Sequence, residues 1–81
     1  MIGMQVITLY TTAGCHLCEQ AEELLRQAAT VADIQWQSVD IVTEPELMEL
    51  YGIRIPVLKR QDTGEELGWP FRLEELEGYL L

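Results

Sequence analysis

Basic residues are scarce: five lysines and arginines stand against fourteen acids in 81 residues, for a net charge of −9 at pH 7. Such a surface repels phosphate backbones and anionic lipid, so neither nucleic acid nor membrane is expected as a partner. Long apolar runs are missing as well, and nothing approaches the ~18 residues of a membrane span. The N-terminus, Met1-Ile2-Gly3-Met4, lacks the basic region and the small-residue cleavage site of a signal peptide. A cytoplasmic protein is therefore expected. Cysteine occurs twice and histidine once. Two cysteines three positions apart close too small a loop to staple distant parts of a fold, which excludes a disulfide scaffold. A zinc site needs about four ligands, more than Cys15, Cys18 and His16 supply. Only a dimer could complete such a site, or share an iron–sulfur cluster. No resident metal or cofactor is expected in a monomer.

What the chain does have is Cys15-His16-Leu17-Cys18, set between an apolar, β-branched stretch ending near Tyr10 and a helical pattern running to about Val31. If a helix begins at the motif, the two sulfurs lie on one side of a single turn, close enough to form a disulfide without moving the backbone. The helix N-terminus offers unpaired N–H groups and the positive end of the macrodipole to the first cysteine, and both favour thiolate over thiol. Cys15 is then the nucleophile, with a lowered pKa. Cys18 shares its side of the helix with Ala21, Leu25 and Ala28, so it is expected to be buried and to act as the resolving thiol.

The length fits one small domain spanning 1–81, and 48% hydrophobic with 23% charged residues is a globular composition. Gln5 to Tyr10 reads as a buried strand, and the amphipathic helix that follows carries Leu17, Cys18, Ala21, Leu24, Leu25 and Ala28 at helical spacing. Ile34 to Ile41 reads as a second strand, which makes the connection a parallel crossover. Thr43 and Glu46 have capping-box spacing ahead of a short helix through Leu47, Leu50 and Tyr51, with Gly52 placed to end it. Pro56 is confined to the start of a strand over Val57 to Arg60, which the turn residues Gln61-Asp62-Thr63-Gly64 fold back onto a charged edge strand, Glu65 to Gly68. A last helix runs from about Arg72 to Leu80. The order is βαβαββα.

Taken together, Tyr10, Gly14-Cys15-His16-Leu17-Cys18, Ile55-Pro56-Val57 and Gly68 resemble the glutaredoxin-like members of the thioredoxin fold, over nearly the whole chain. The resemblance implies an α/β architecture with a four-stranded mixed sheet and helices on both faces. It further implies that Pro56 is cis and faces the cysteine pair, and that the backbone of Ile55 pairs with an extended substrate. Thr12 stands where glutaredoxins commonly have lysine, His16-Leu17 replaces Pro-Tyr, and Trp69-Pro70-Phe71-Arg72 replaces a second glycine and the acidic pair that holds glutathione. Glutathione is accordingly not carried over. What carries over is the nucleophile Cys15, the resolving Cys18 and Pro56.

Three further residues have two readings each. His16 is either a cation beside the Cys15 thiolate or an exposed bystander. Arg54 either attracts the thiolate or a substrate carboxylate, or is simply exposed. Trp69 is assigned to an apolar rim for a protein substrate and Phe71 to the core. The expected activity is thiol–disulfide exchange without a bound cofactor, on a protein disulfide and with a thioredoxin-type reductant. The competing expectations are a binding or redox-sensing module without turnover, and a dimeric metal or iron–sulfur carrier.

Overall fold

The computed structural model describes residues 5–80. Its central strand, Gln5–Thr11 (β1), alternates in the way a strand buried on both faces must: Ile7 and Leu9 point to one side, Thr8 and Tyr10 to the other. Ile34–Asp40 (β2) lies parallel to it, with Gln5 opposite Ile34 and Thr11 opposite Asp40. Val57–Arg60 (β3) pairs antiparallel on its other side, Val57 opposite Tyr10, and Glu66–Gly68 (β4) pairs antiparallel with β3. The sheet order is β2-β1-β3-β4.

His16–Ala28 (α1) and Leu73–Leu80 (α3) cover one face. There Ile7, Leu9, Leu25, Leu58, Phe71, Leu76 and Leu80 form a continuous core. Each of the larger aliphatic side chains stabilises the fold by roughly 1.5–3 kcal/mol on burial. Pro45–Tyr51 (α2) covers the opposite face, where Ile41, Tyr51 and Val57 are buried against Tyr10, Leu47 and Ile55. The fold is thus the mixed four-stranded, thioredoxin-like sheet with helices on both sides. Among the described residues no helix is long and apolar enough to cross a membrane.

Local expectations fail where tertiary packing competes with them. Thr43 does not cap α2: it belongs to a 3-10 turn over Ile41–Thr43, and its hydroxyl donates to the Asp40 carbonyl at 2.8 Å. Burial of Ile41 draws that turn inward, and Glu44 becomes the N-cap without a side-chain hydrogen bond. Gly52 does end α2 as its C-cap, but without a left-handed turn, since its φ is −48°. Its reason is space, because a Cβ there would lie 2.5 Å from the Met48 carbonyl oxygen. Leu17, counted on the apolar stripe of α1, is 44% exposed. β2 stops at Asp40 and α1 at Ala28, both short of the sequence pattern.

Candidate active site

β1 ends at Thr11, and a short turn leads the chain into α1. Gly14 has φ +76°, a left-handed conformation that favours glycine. This delivers Cys15 as the N-cap of α1 in extended conformation, where its Sγ accepts the Cys18 N–H at 3.1 Å. The usual N-cap oxygen is here a sulfur, so one of the orphan donors of the first turn points at the group whose anion it would stabilise. Cys15 and Cys18 are joined as a disulfide, with Cα atoms 5.2 Å apart. Cys18 is only 3% exposed and continues into the buried row Ala21, Leu25, Ala28, whereas Cys15 is partly open to solvent. The two sulfurs are therefore unequal: one can be reached from outside, and the other only through its partner.

Around the pair, the His16 ring is turned to Glu19, Nδ1 lying 3.8 Å from its carboxylate, and both side chains are well exposed. A cleft of about 220 Å³ opens beside the cysteines, bounded by Thr11, Thr12, Gly14, Ser38 and Glu22. Glu22 is held there by the Trp36 Nε1–H, which donates to it at 3.2 Å, and by Arg26 at 3.4 Å.

The Pro56 segment reaches the same end of the sheet. Val57 sits opposite Tyr10, and one step further along the register brings Pro56 level with Thr11, from which the chain leads into Cys15. Pro56 is buried, its carbonyl accepts the Trp69 N–H at 3.1 Å, and the Ile55–Pro56 and Trp69–Pro70 peptide bonds are both cis. The Ile55 N–H donates to the Tyr51 carbonyl at 3.1 Å, a carbonyl it shares with the Arg54 N–H at 2.8 Å. Trp69 is half-buried and packs edge-on against Phe71, whose own burial is nearly complete. Pro70 is exposed beside it, and Ile53 stands wholly in solvent.

Arg54 has a partner that its sequence position does not reveal. Its Nη2 donates to Glu66 at 2.9 Å and its Nη1 to the Leu50 carbonyl at 3.3 Å. The other oxygen of Glu66 accepts the Tyr51 hydroxyl at 2.7 Å. Those two hydrogen bonds, Tyr51 first and Arg54 second, hold the Glu66 carboxyl below the usual range. Burial, reinforced by Glu66, pushes the Tyr51 phenol well up. Sequence context marks neither Tyr51 nor Glu66 as a site residue, and no short-range spacing links them: only the fold brings α2, β4 and the residue before Ile55 together.

A thioredoxin-like fold carrying a cysteine pair at disulfide distance, one sulfur at a helix N-terminus and the other sealed in the core, defines a redox-capable protein of the thioredoxin class. The model of the glutaredoxin-like domain (DUF836) matches residues 6–81, and the chain belongs to that family. It is similar to the protein XcR50 from X. campestris, whose X-ray structure is 43% identical over 91% of this chain and 93% of that one, with a TM-score of 0.80. Protein Ne2328 from Nitrosomonas europaea is 26% identical, covering 100% of this chain and 96% of its own, at a TM-score of 0.87. A mutant thioredoxin from Halobacterium salinarum, 21% identical over 94% of this chain and 71% of its own at a TM-score of 0.72, shares the fold. No curated protein matches the chain.

Proposed function

We propose that this protein is a thiol–disulfide oxidoreductase that reduces protein disulfides. The observation that carries the reading is the inequality of the two sulfurs: Cys15 caps α1 and is reachable, and Cys18 is buried behind it. In the reduced protein the Cys15 thiolate attacks one sulfur of a substrate disulfide, forming a mixed disulfide and expelling the other sulfur as a thiolate that takes up a proton. Cys18, having lost its proton, then attacks Cys15 Sγ; the Cys15–Cys18 bond forms and the substrate leaves as a second thiol. Two electrons pass from the pair to the substrate, and an external dithiol restores them.

A protein substrate is favoured by the partly exposed Trp69 and by the exposed Pro70 and Leu17; with the Ile55 N–H and the Pro56 carbonyl already engaged within the chain, it meets the Ile55–Pro56 segment through the Ile55 carbonyl and side-chain surface. A thioredoxin-type protein is the reductant in this reading, and glutathione is not. At the positions that resemble the glutathione site of glutaredoxins the chain has Thr12 in place of a lysine and Phe71-Arg72 in place of acids. The working form is a monomer in the reducing cytoplasm. Turnover of insulin disulfides tests the proposal. The wild type should be active and Cys15→Ser inert, and Cys18→Ser should accumulate a mixed disulfide at Cys15. Wild-type protein that binds insulin without reducing it, and a Cys18→Ser variant that traps nothing, would make this a binding module instead.

A further inference from the structure

We propose that Glu66 is a positioning residue for the substrate-facing segment Arg54–Ile55–Pro56, an inference that rests on the oxidoreductase reading. Both oxygens of its carboxylate are engaged, and by residues on either side of Gly52–Ile53: Tyr51 at 2.7 Å and Arg54 at 2.9 Å. Tyr51 is anchored in turn by stacking on Tyr10 of β1, ring centroids 4.2 Å apart and planes 15° from parallel. The Arg54 guanidinium lies 5.3 Å from the Tyr51 ring centre and reaches back to the Leu50 carbonyl. The Tyr51 carbonyl then receives the N–H groups of Arg54 and Ile55. One carboxylate on β4 thus ties together β1, the end of α2 and the turn that leads into Pro56.

The ends of that turn are fixed by the buried Tyr51 and by Ile55 and Pro56, but the side chains between them have few other partners. Ile53 is fully exposed and Arg54 about half exposed, so between the buried Tyr51 and Ile55 the turn has no apolar anchor of its own. Thiol–disulfide exchange needs the incoming sulfur held in line with the bond it attacks, and a wandering docking edge would have to be ordered each time a substrate binds. Held by Glu66, the edge is ordered beforehand. The benefit falls on a macromolecular substrate that lies along Ile55. A small disulfide that touches only Cys15 gains nothing.

The same hairpin contains its own control. Arg60 and Asp62 form an ion pair at 2.7 Å, but its Arg60 end is tied to the Tyr79 carbonyl, away from the Pro56 segment. Glu66→Gln and Asp62→Asn should be compared with wild type in insulin reduction, in reduction of a small dialkyl disulfide, and in amide exchange at Arg54 and Ile55. Glu66→Gln is expected to raise KM for insulin by about five- to tenfold with kcat changed less than about twofold. It should leave the small disulfide's rate constant unchanged and speed exchange at Ile55. Asp62→Asn should do none of these. An unaltered insulin KM in Glu66→Gln, an equal rise in Asp62→Asn, or a parallel loss with the small disulfide overturns the proposal. A wild type that fails to turn over insulin overturns the oxidoreductase reading. The clamp is then upheld by faster Ile55 exchange in Glu66→Gln alone, and refuted by unchanged exchange.

Discussion

Replacing Tyr51 by Phe removes one oxygen from a nearly sealed site and leaves almost everything else in place. Tyr51 is 3% exposed, and its ring would keep both the stack on Tyr10 and the Arg54 guanidinium above it. What goes is the 2.7 Å hydrogen bond to the Glu66 carboxylate. A hydrogen bond to a charged acceptor contributes about 1.5–3 kcal/mol. Glu66 keeps Arg54 and has some access to water, which places the expected loss toward about 1.5 kcal/mol. In a domain of this size that shifts the midpoint of thermal unfolding by roughly 6–12 °C. The loss should also depend on pH. The carboxyl of Glu66 is depressed in the folded state, so its contribution is fully present above the unfolded value and disappears as pH falls through the folded one. The wild type and Tyr51→Phe should therefore converge in acid. At the alkaline end the phenol is raised in the folded state, so the Tyr51 contribution holds below its ordinary value and is lost as pH rises through the folded one. Urea unfolding at a series of pH values measures both limbs. A difference below about 0.5 kcal/mol at neutral pH, or one that persists unchanged in acid, would refute the assignment of a charge-assisted bond.

Four further outcomes are expected. In reduced Cys18→Ser protein the Cys15 thiol should titrate below the ordinary ~8.5, because it still caps α1; thiolate absorbance against pH checks this, and a value at or above the ordinary one counts against the helix-end argument. Gly52→Ala should cost roughly 1–3 kcal/mol by driving a methyl into the Met48 carbonyl. Gly78→Ala, in the interior of α3 with nothing within 4 Å of a new Cβ, should instead gain about 0.5–1 kcal/mol, both read by urea unfolding. At matched driving force, reduced thioredoxin should reduce the oxidised pair faster than glutathione does in stopped-flow measurements, and the reverse order would restore glutathione as a partner.

Much of the architecture is written in local patterns. Alternation in Gln5–Thr11, the row Cys18, Ala21, Leu25, Ala28 and the turn chemistry around Gly64 each depend on near neighbours, and the structure reproduces them. The inequality of Cys15 and Cys18 is legible for the same reason, since three positions on one helical turn decide both capping and burial. Arg54 is different. Read alone it is a free cation next to the site, but its fate depends on Glu66, twelve residues on and on another element. The capping of α2 fails for a related reason: Thr43 has the right spacing, yet the pull of Ile41 into the core sets the backbone before Thr43 can act. Where a choice rests on which side chain another element supplies, one-dimensional spacing carries no signal.

The burial of Cys18 also limits how far oxidation can proceed. A thiol sealed from solvent is shielded from peroxide and from the cysteine of a second molecule, so damage must begin at Cys15. A sulfenic acid formed there has Cys18 within disulfide reach, and condensation to the internal bond with loss of water competes with the slide to sulfinic acid. The pair thereby acts as a fuse that resets: the chain should leave peroxide treatment as an intact monomeric disulfide, recoverable by any dithiol, while Cys18→Ser protein should appear by intact mass as sulfinic acid or as cross-linked dimer.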